Sequence, residues 1–211
     1  MTHRSTLPLD SDFDDLVSNL FGLDSSALIG LEYRFGLIRN GQVGIHRTSG
    51  KTIEFFAQYG LLRQARSPID VSLFGTLDGT NNFRDSYSPA VGIILSRTIR
   101  DRVALYLEPV WVNNSNALPR EEVDDNDTLM VGVGARIRIS STAYLAAEIV
   151  PRTENSPGVT HGSAALEKRV GGHFFQLNVS NALGTTMAQI AQGGPQQNNW
   201  YLGFNISRKF F

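Results

Sequence analysis

The chain has 211 residues, a formal net charge of -1 and no cysteine. Near-neutrality gives no case for bulk nucleic-acid binding, and the lack of cysteine excludes a disulfide scaffold or a zinc ribbon. Charged residues make up 18%, below the roughly 25% of an ordinary soluble domain, yet no apolar run reaches the ~20 residues of a membrane-spanning helix.

In chain order, residues 1–10 read MTHRSTLPLD and show no apolar stretch of a leader. Residues 12–22, DFDDLVSNLFG, place Phe13, Leu16, Leu20 and Phe21 at helical spacing behind Ser11 or Asp12. A short capped helix within an outer loop 5–25 follows from that pattern. Period two then takes over, putting alternate residues on opposite faces of strands. In 27–35, Ala27, Ile29, Leu31, Tyr33 and Phe35 oppose Leu28, Gly30, Glu32 and Arg34. In 53–61, Ile53, Phe55, Ala57, Tyr59 and Leu61 oppose Glu54, Phe56, Gln58 and Gly60. In 129–139, Leu129, Val131, Val133, Ala135, Ile137 and Ile139 oppose Met130, Gly132, Gly134, Arg136 and Arg138. In 200–206, Trp200, Leu202, Phe204 and Ile206 oppose Tyr201, Gly203 and Asn205. Weaker alternation runs through 42–47, 69–77, 86–97, 102–113, 142–151, 163–170 and 172–180.

These segments predict about eleven strands, many near the ~9–11 residues that cross a bilayer at a tilt. One face is apolar and aromatic; the other mixes Gly, Ser, Gln, Asn, Glu and Arg. The connections alternate too. Short ones at 39–41, 64–68, 99–101, 140–141 and 171–172 alternate with longer ones at 5–25, 78–86, 114–127, 152–161 and 181–198, apart from the short 48–51. Short inner turns and long outer loops mark bacterial outer-membrane barrels, whose strand number is even. The expectation is one domain over 1–211: an antiparallel up-and-down transmembrane barrel, twelve-stranded when complete. Its first strand is expected to be missing or only partly present upstream of Ser5.

The blocks FGLDSSALIGLEYRFG (21–36), GGHFFQLNVSNALG (171–184) and LGFNISRKFF (202–211) resemble a bacterial family of membrane-bound β-barrels, domain of unknown function 5777. LLRQ (61–64) and ILSRTIRDRVALYLEPVWV (94–112) resemble it as well. The resemblance implies an outer membrane of Gram-negative type, and supplies neither a substrate nor a catalytic set. It also implies more chain, with a leader and a strand, ahead of residue 21.

Strand phase puts Glu32, Arg34, Glu54, Glu108, Arg136, Arg138, Glu148, Glu167, Arg169 and Lys209 in the lumen, five of each sign. Facing lipid instead, an Arg or Lys at the midplane would cost roughly 2–4 kcal/mol. The balanced set reads as a salt-bridged structural filling or as a narrow, porin-like polar path whose selectivity it tunes. Tyr33, Phe35, Tyr59, Trp111, Phe175, Trp200 and Phe204 suit aromatic girdles at the headgroups. Tyr144 shares the inward phase of Glu148. A turn of helix is expected at 185–192.

Glu121, Glu122, Asp124, Asp125 and Asp127 form an acidic loop. It lacks the glycine and spacing of an EF-hand and reads first as a solvated loop, and second as a weak metal site whose cation bridges lipopolysaccharide phosphates. A serine nucleophile would need an adjacent base. Ser180 has Asn178 where a lipid A deacylase has histidine, leaving Ser163 with His161 and either Glu148 or Glu167. His46 and His173 stand apart. No enzymatic site and no cofactor are expected. The partners expected are outer-membrane lipids and, from the aromatic last strand, the barrel-assembly machinery. The alternatives are a membrane-embedded lipid-modifying enzyme and a soluble barrel holding an apolar ligand.

Overall fold

A computed structural model describes residues 1–11, 13–19, 27–115, 126–152, 159–194 and 199–210. Twelve antiparallel strands form a closed barrel in which each pairs with its sequence neighbours and the first pairs with the last. They are β1 (Thr2–Pro8), β2 (Ala27–Ile38), β3 (Gly41–Thr48), β4 (Ile53–Leu62), β5 (Asp70–Gly79) and β6 (Asp85–Ile99). The second half comprises β7 (Val103–Val112), β8 (Thr128–Arg138), β9 (Ala143–Val150), β10 (His161–Val170), β11 (His173–Ser180) and β12 (Tyr201–Arg208). Closure leaves no free sheet edge to pair with another chain.

The first strand, expected to be missing or only partly present upstream of Ser5, is found in the structure. Residues 2–8 supply it as β1, so the connection to β2 is 9–26 rather than 5–25. Its phase is illegible because polar residues occupy both faces: Thr2, Arg4 and Thr6 on one, His3 and Ser5 on the other. β1 pairs with residues 27–30 of β2 and with 203–205 of β12, then shifts register before Pro8. It therefore seals the long-loop half of this seam, while β2 runs on toward the short turns past its first residue.

Outside, the alternating apolar face is bare. Leu31 is 59% exposed, Tyr33 54% and Leu177 53%, the inverse of a soluble sandwich and the requirement of a lipid-facing wall. Inside, large groups need room. A Cβ on Gly132 would sit 3.3 Å from both the Glu108 Cβ and the Glu148 Oε1. The two-residue turn Gly171 and Gly172 between β10 and β11 uses φ +57° at Gly171, a conformation that glycine adopts without strain.

Among the described residues, three short helical pieces lie in the long loops. α1 (Phe13–Ser18) falls within the predicted 12–22 segment. α2 (Thr80–Phe83) is a single turn with Asn81, Asn82 and Phe83 at φ 51°, 59° and 64°. That tight turn lets β5 and β6 run further than the predicted 78–86 loop allowed. α3 (Met187–Gln192) lies in the predicted 185–192 turn, with Thr186 and Gln189 forming a reciprocal capping box. Glu121, Glu122, Asp124, Asp125 and Phe211 lie outside the described residues, as do Leu20 and Phe21.

Candidate functional site

The lumen is the candidate site, and its two ends differ. At the long-loop end the segment 181–194 turns back into the barrel. Arg4, 8% exposed, anchors its start. Its Nη1 donates to the carbonyls of Ala182 at 2.6 Å and Gly184 at 3.3 Å, and its Nη2 donates to Asn178 Oδ1 at 3.3 Å. The Met187 amide donates to Glu54 Oε1 at 3.0 Å, and Gln189 Nε2 donates to Thr52 Oγ1 at 3.3 Å. Asp78, buried and directly across from Glu54, lies against Thr186 and Ala188. Glu54 thus receives the first turn of α3, whose amides have no partner within the helix, while the Asp78 carboxylate beside it has no hydrogen-bond partner among the described residues. At the other end, Arg152 Nη1 donates to the Ala191 carbonyl at 3.1 Å, and residues 159 and 194 pair through both backbone bonds. The segment spans the lumen from β4 to the end of β9.

Between these anchors α3 buries Ala188 and Ala191 against Ala90, Val110, Val112, Met130 and Val150. This is the molecule's apolar core, and it lies inside the barrel at one end. Each fully buried aliphatic side chain of this kind is worth roughly 1.5–3 kcal/mol relative to exposure.

Beyond this core, toward the short turns, lies a cavity of about 320 Å³. Tyr106, Glu108, Arg136, Glu148, Glu167 and Gln176 line it. Arg136 Nε donates to Glu167 Oε2 at 2.5 Å, Gln176 Nε2 donates to Glu167 Oε1 at 3.2 Å, and Asn205 donates to Gln176. The Arg136 guanidinium lies 3.7 Å from the Tyr144 ring centre, and that of Arg169 lies 5.3 Å from it. Glu32 and Arg34 pair with each other on β2.

The ten charges expected in the lumen pair sparsely. Among the described residues the pairs are Glu32–Arg34, His46–Glu54 and Arg136–Glu167. Glu108 and Glu148 have no cation at that distance. Arg138, last in β8, donates instead to the carbonyls of Ser140 and Ser141. Lys209 follows the end of β12 at the rim, not in the lumen. The filling is supplied by segment 181–194. Sequence reasoning missed Arg4, Asp78, Thr52 and Thr186 because it placed none of them on a strand face. An inward charge at either end of a strand was the available signal.

The aromatic residues Tyr33, Phe35, Tyr59, Trp111, Phe175 and Trp200 are all exposed on the outer surface. Phe204 stacks on His3 at 4.7 Å. Ser163 and Ser180 are direct cross-strand partners. The Ser180 hydroxyl donates to the Ala182 carbonyl at 3.2 Å, and no histidine bonds either serine among the described residues. His161 is buried with Nδ1 unpartnered, and His46 lies 3.7 Å from Glu54. Asp127 accepts from Asn113 at 2.5 Å.

The closed barrel with its apolar exterior agrees with a family model for the membrane bound beta barrel domain, domain of unknown function 5777, over residues 11–210. The chain belongs to this family. Its fold is that of outer-membrane barrels. The NanC porin superposes with a TM-score of 0.67 at 8% identity, over 87% of this chain and 93% of the porin. Outer membrane phospholipase A from Escherichia coli superposes with a TM-score of 0.56 at 12% identity, over 99% and 89% respectively. No curated protein sequence matches the chain. At such identities the neighbours establish fold for this family member and nothing of its chemistry.

Proposed function

We propose that this family member is an outer-membrane barrel of small diameter whose lumen is held shut at the long-loop end by its own last loop. It is a closed, narrow pore with no enzymatic site, set in outer-membrane lipids and delivered by barrel-assembly machinery that reads the aromatic last strand. One observation carries the reading: segment 181–194 crosses the lumen and is tied to opposite walls through Glu54 and Arg152. The short-turn half keeps a polar cavity in which Glu108, Glu148 and the Arg136–Glu167 pair would tune the passage of ions.

Planar-bilayer recording tests this. The native chain is expected to be nearly silent, and a chain lacking 185–192 is expected to show steady ohmic steps. Charge reversal at Arg136 or Arg138 in the opened chain then shifts ion selectivity. Full conductance in the native chain defeats the closed-pore reading. Silence in both chains replaces the pore with a purely structural barrel.

A further inference from the structure

The net charge of -1 hides a separation of charge along the barrel axis. The short-turn rim carries Arg39 in the β2–β3 turn, and Arg63 and Arg66 between β4 and β5. Around the β6–β7 turn stand Arg97, Arg100 and Arg102. β8 ends on Arg138, β10 has Lys168 and Arg169 near its end, Arg208 ends the last strand and Lys209 follows it. All eleven are exposed, and the acids among these turns and strand ends are Asp70 and Asp101. No ion pair among the described residues includes a rim cation. Among the described residues the opposite rim has no such excess: Asp10, Asp14, Asp15, Asp85 and Asp127 stand there with Arg47, Lys51, Arg84 and Arg152.

Placement narrows the partner. Arg97 pairs with Leu105 and shares its face with Ile93 and Ile99, which are exposed to the outside. Lys168 pairs with Phe175 and shares its face with Leu166 and Val170, also exposed. Both cations therefore stand on the lipid side, near a turn, where a long side chain lays its methylenes along apolar surface and carries its charge to the headgroups. Arg138 and Arg169 share the inward phases of Arg136 and Glu167 and stand at the lumen mouth, and the other cations ring the same level. A partner must offer negative charge in a plane next to apolar chains, all round the barrel. A bilayer surface does so; a soluble acidic protein would cover one arc.

We propose that the short-turn rim is a binding collar for anionic phospholipid headgroups, with Arg97 and Lys168 as its lipid-facing contacts. It relies on the membrane reading for its location and is independent of whether the lumen conducts. The test is native mass spectrometry of the full chain released from nanodiscs of equimolar phosphatidylglycerol and phosphatidylcholine. Phosphatidylglycerol is expected to be retained about fivefold over phosphatidylcholine, the worth of one cation well placed near an anionic surface. The quadruple variant Arg39→Gln, Arg97→Gln, Arg100→Gln, Lys168→Gln is expected to lose the preference while keeping its heat-modifiable gel band. Arg47→Gln with Lys51→Gln, at the other rim, is expected to keep it. Should the quadruple variant not fold, native chain in about 1 M salt, where screening shortens the reach of charge to ~3 Å, must lose the preference instead. Equal retention of both lipids by the native chain overturns the collar, as does a preference that survives the quadruple change. Capture of polyglutamate without any lipid preference also overturns it, in favour of a soluble acidic partner.

Discussion

On the long-loop side of Gly132 the inner wall carries Val110, Val112, Met130 and Val150 packed on α3, with Met130 only 2% exposed. On the short-turn side the same strands carry Glu108, Arg136 and Arg138, and the wall opens into a polar cavity. One half behaves as the core of a small globular domain: dry, close-packed and sensitive to volume. The other behaves as a charged surface folded inward, where polar groups line an open cavity. The same strands build both, because an inward position is set by phase alone. What fills the space beside it decides whether an apolar or a charged residue is stable there.

Substitutions in each half sharpen that contrast, beginning with the largest effect. Met130→Ala deletes a buried side chain beside α3 and is expected to lower unfolding free energy in lipid by about 2–5 kcal/mol. Urea titration of the reconstituted protein reads it. Glu54→Ala leaves the half-buried Met187 amide without its acceptor. A loss of about 1–3 kcal/mol is expected, together with intermittent channel opening, since the same bond holds the loop. Thr186→Ala removes the cap of α3 for about 1 kcal/mol, and hydrogen exchange should rise at residues 187–190 with the strands unchanged. In the short-turn half, Arg136→Gln opens the pair to Glu167. Because the Arg136 side chain is 21% exposed and the cavity is polar, the cost is expected to stay within about 1 kcal/mol, well short of a sealed ion pair. A loss as large as that of Met130→Ala would mean that the two halves are equally dry.

Much of the barrel was legible in the sequence, for a physical reason. A lipid-facing wall needs an unbroken apolar face, so Leu31, Tyr33 and Phe35 against Glu32 and Arg34 give phase and direction at once. Alternating connection lengths then order the strands. β1 escaped because its first five residues, Thr2 to Thr6, are polar on both faces; strand parity and the family resemblance pointed to it. The site was less legible. The helix at 187–192 could be foreseen, but not its place inside the barrel. Its inward face is small, Ala188 and Ala191, and its anchors lie far off in sequence, Glu54 being 133 residues from Met187. Asp78 read as loop because the left-handed turn at Asn81 and Asn82 that extends β5 has no periodic signal. The basic rim was readable residue by residue, yet net charge concealed it.

The central claim is that segment 181–194 closes the lumen at the long-loop end. The chain has no cysteine, so a single Glu148→Cys reports its own accessibility. The measurement is labelling of that thiol by a small membrane-impermeant maleimide applied from the long-loop side of oriented proteoliposomes. The account predicts no labelling of the otherwise native chain and rapid labelling once 185–192 is deleted. Equal labelling with and without the loop would contradict it.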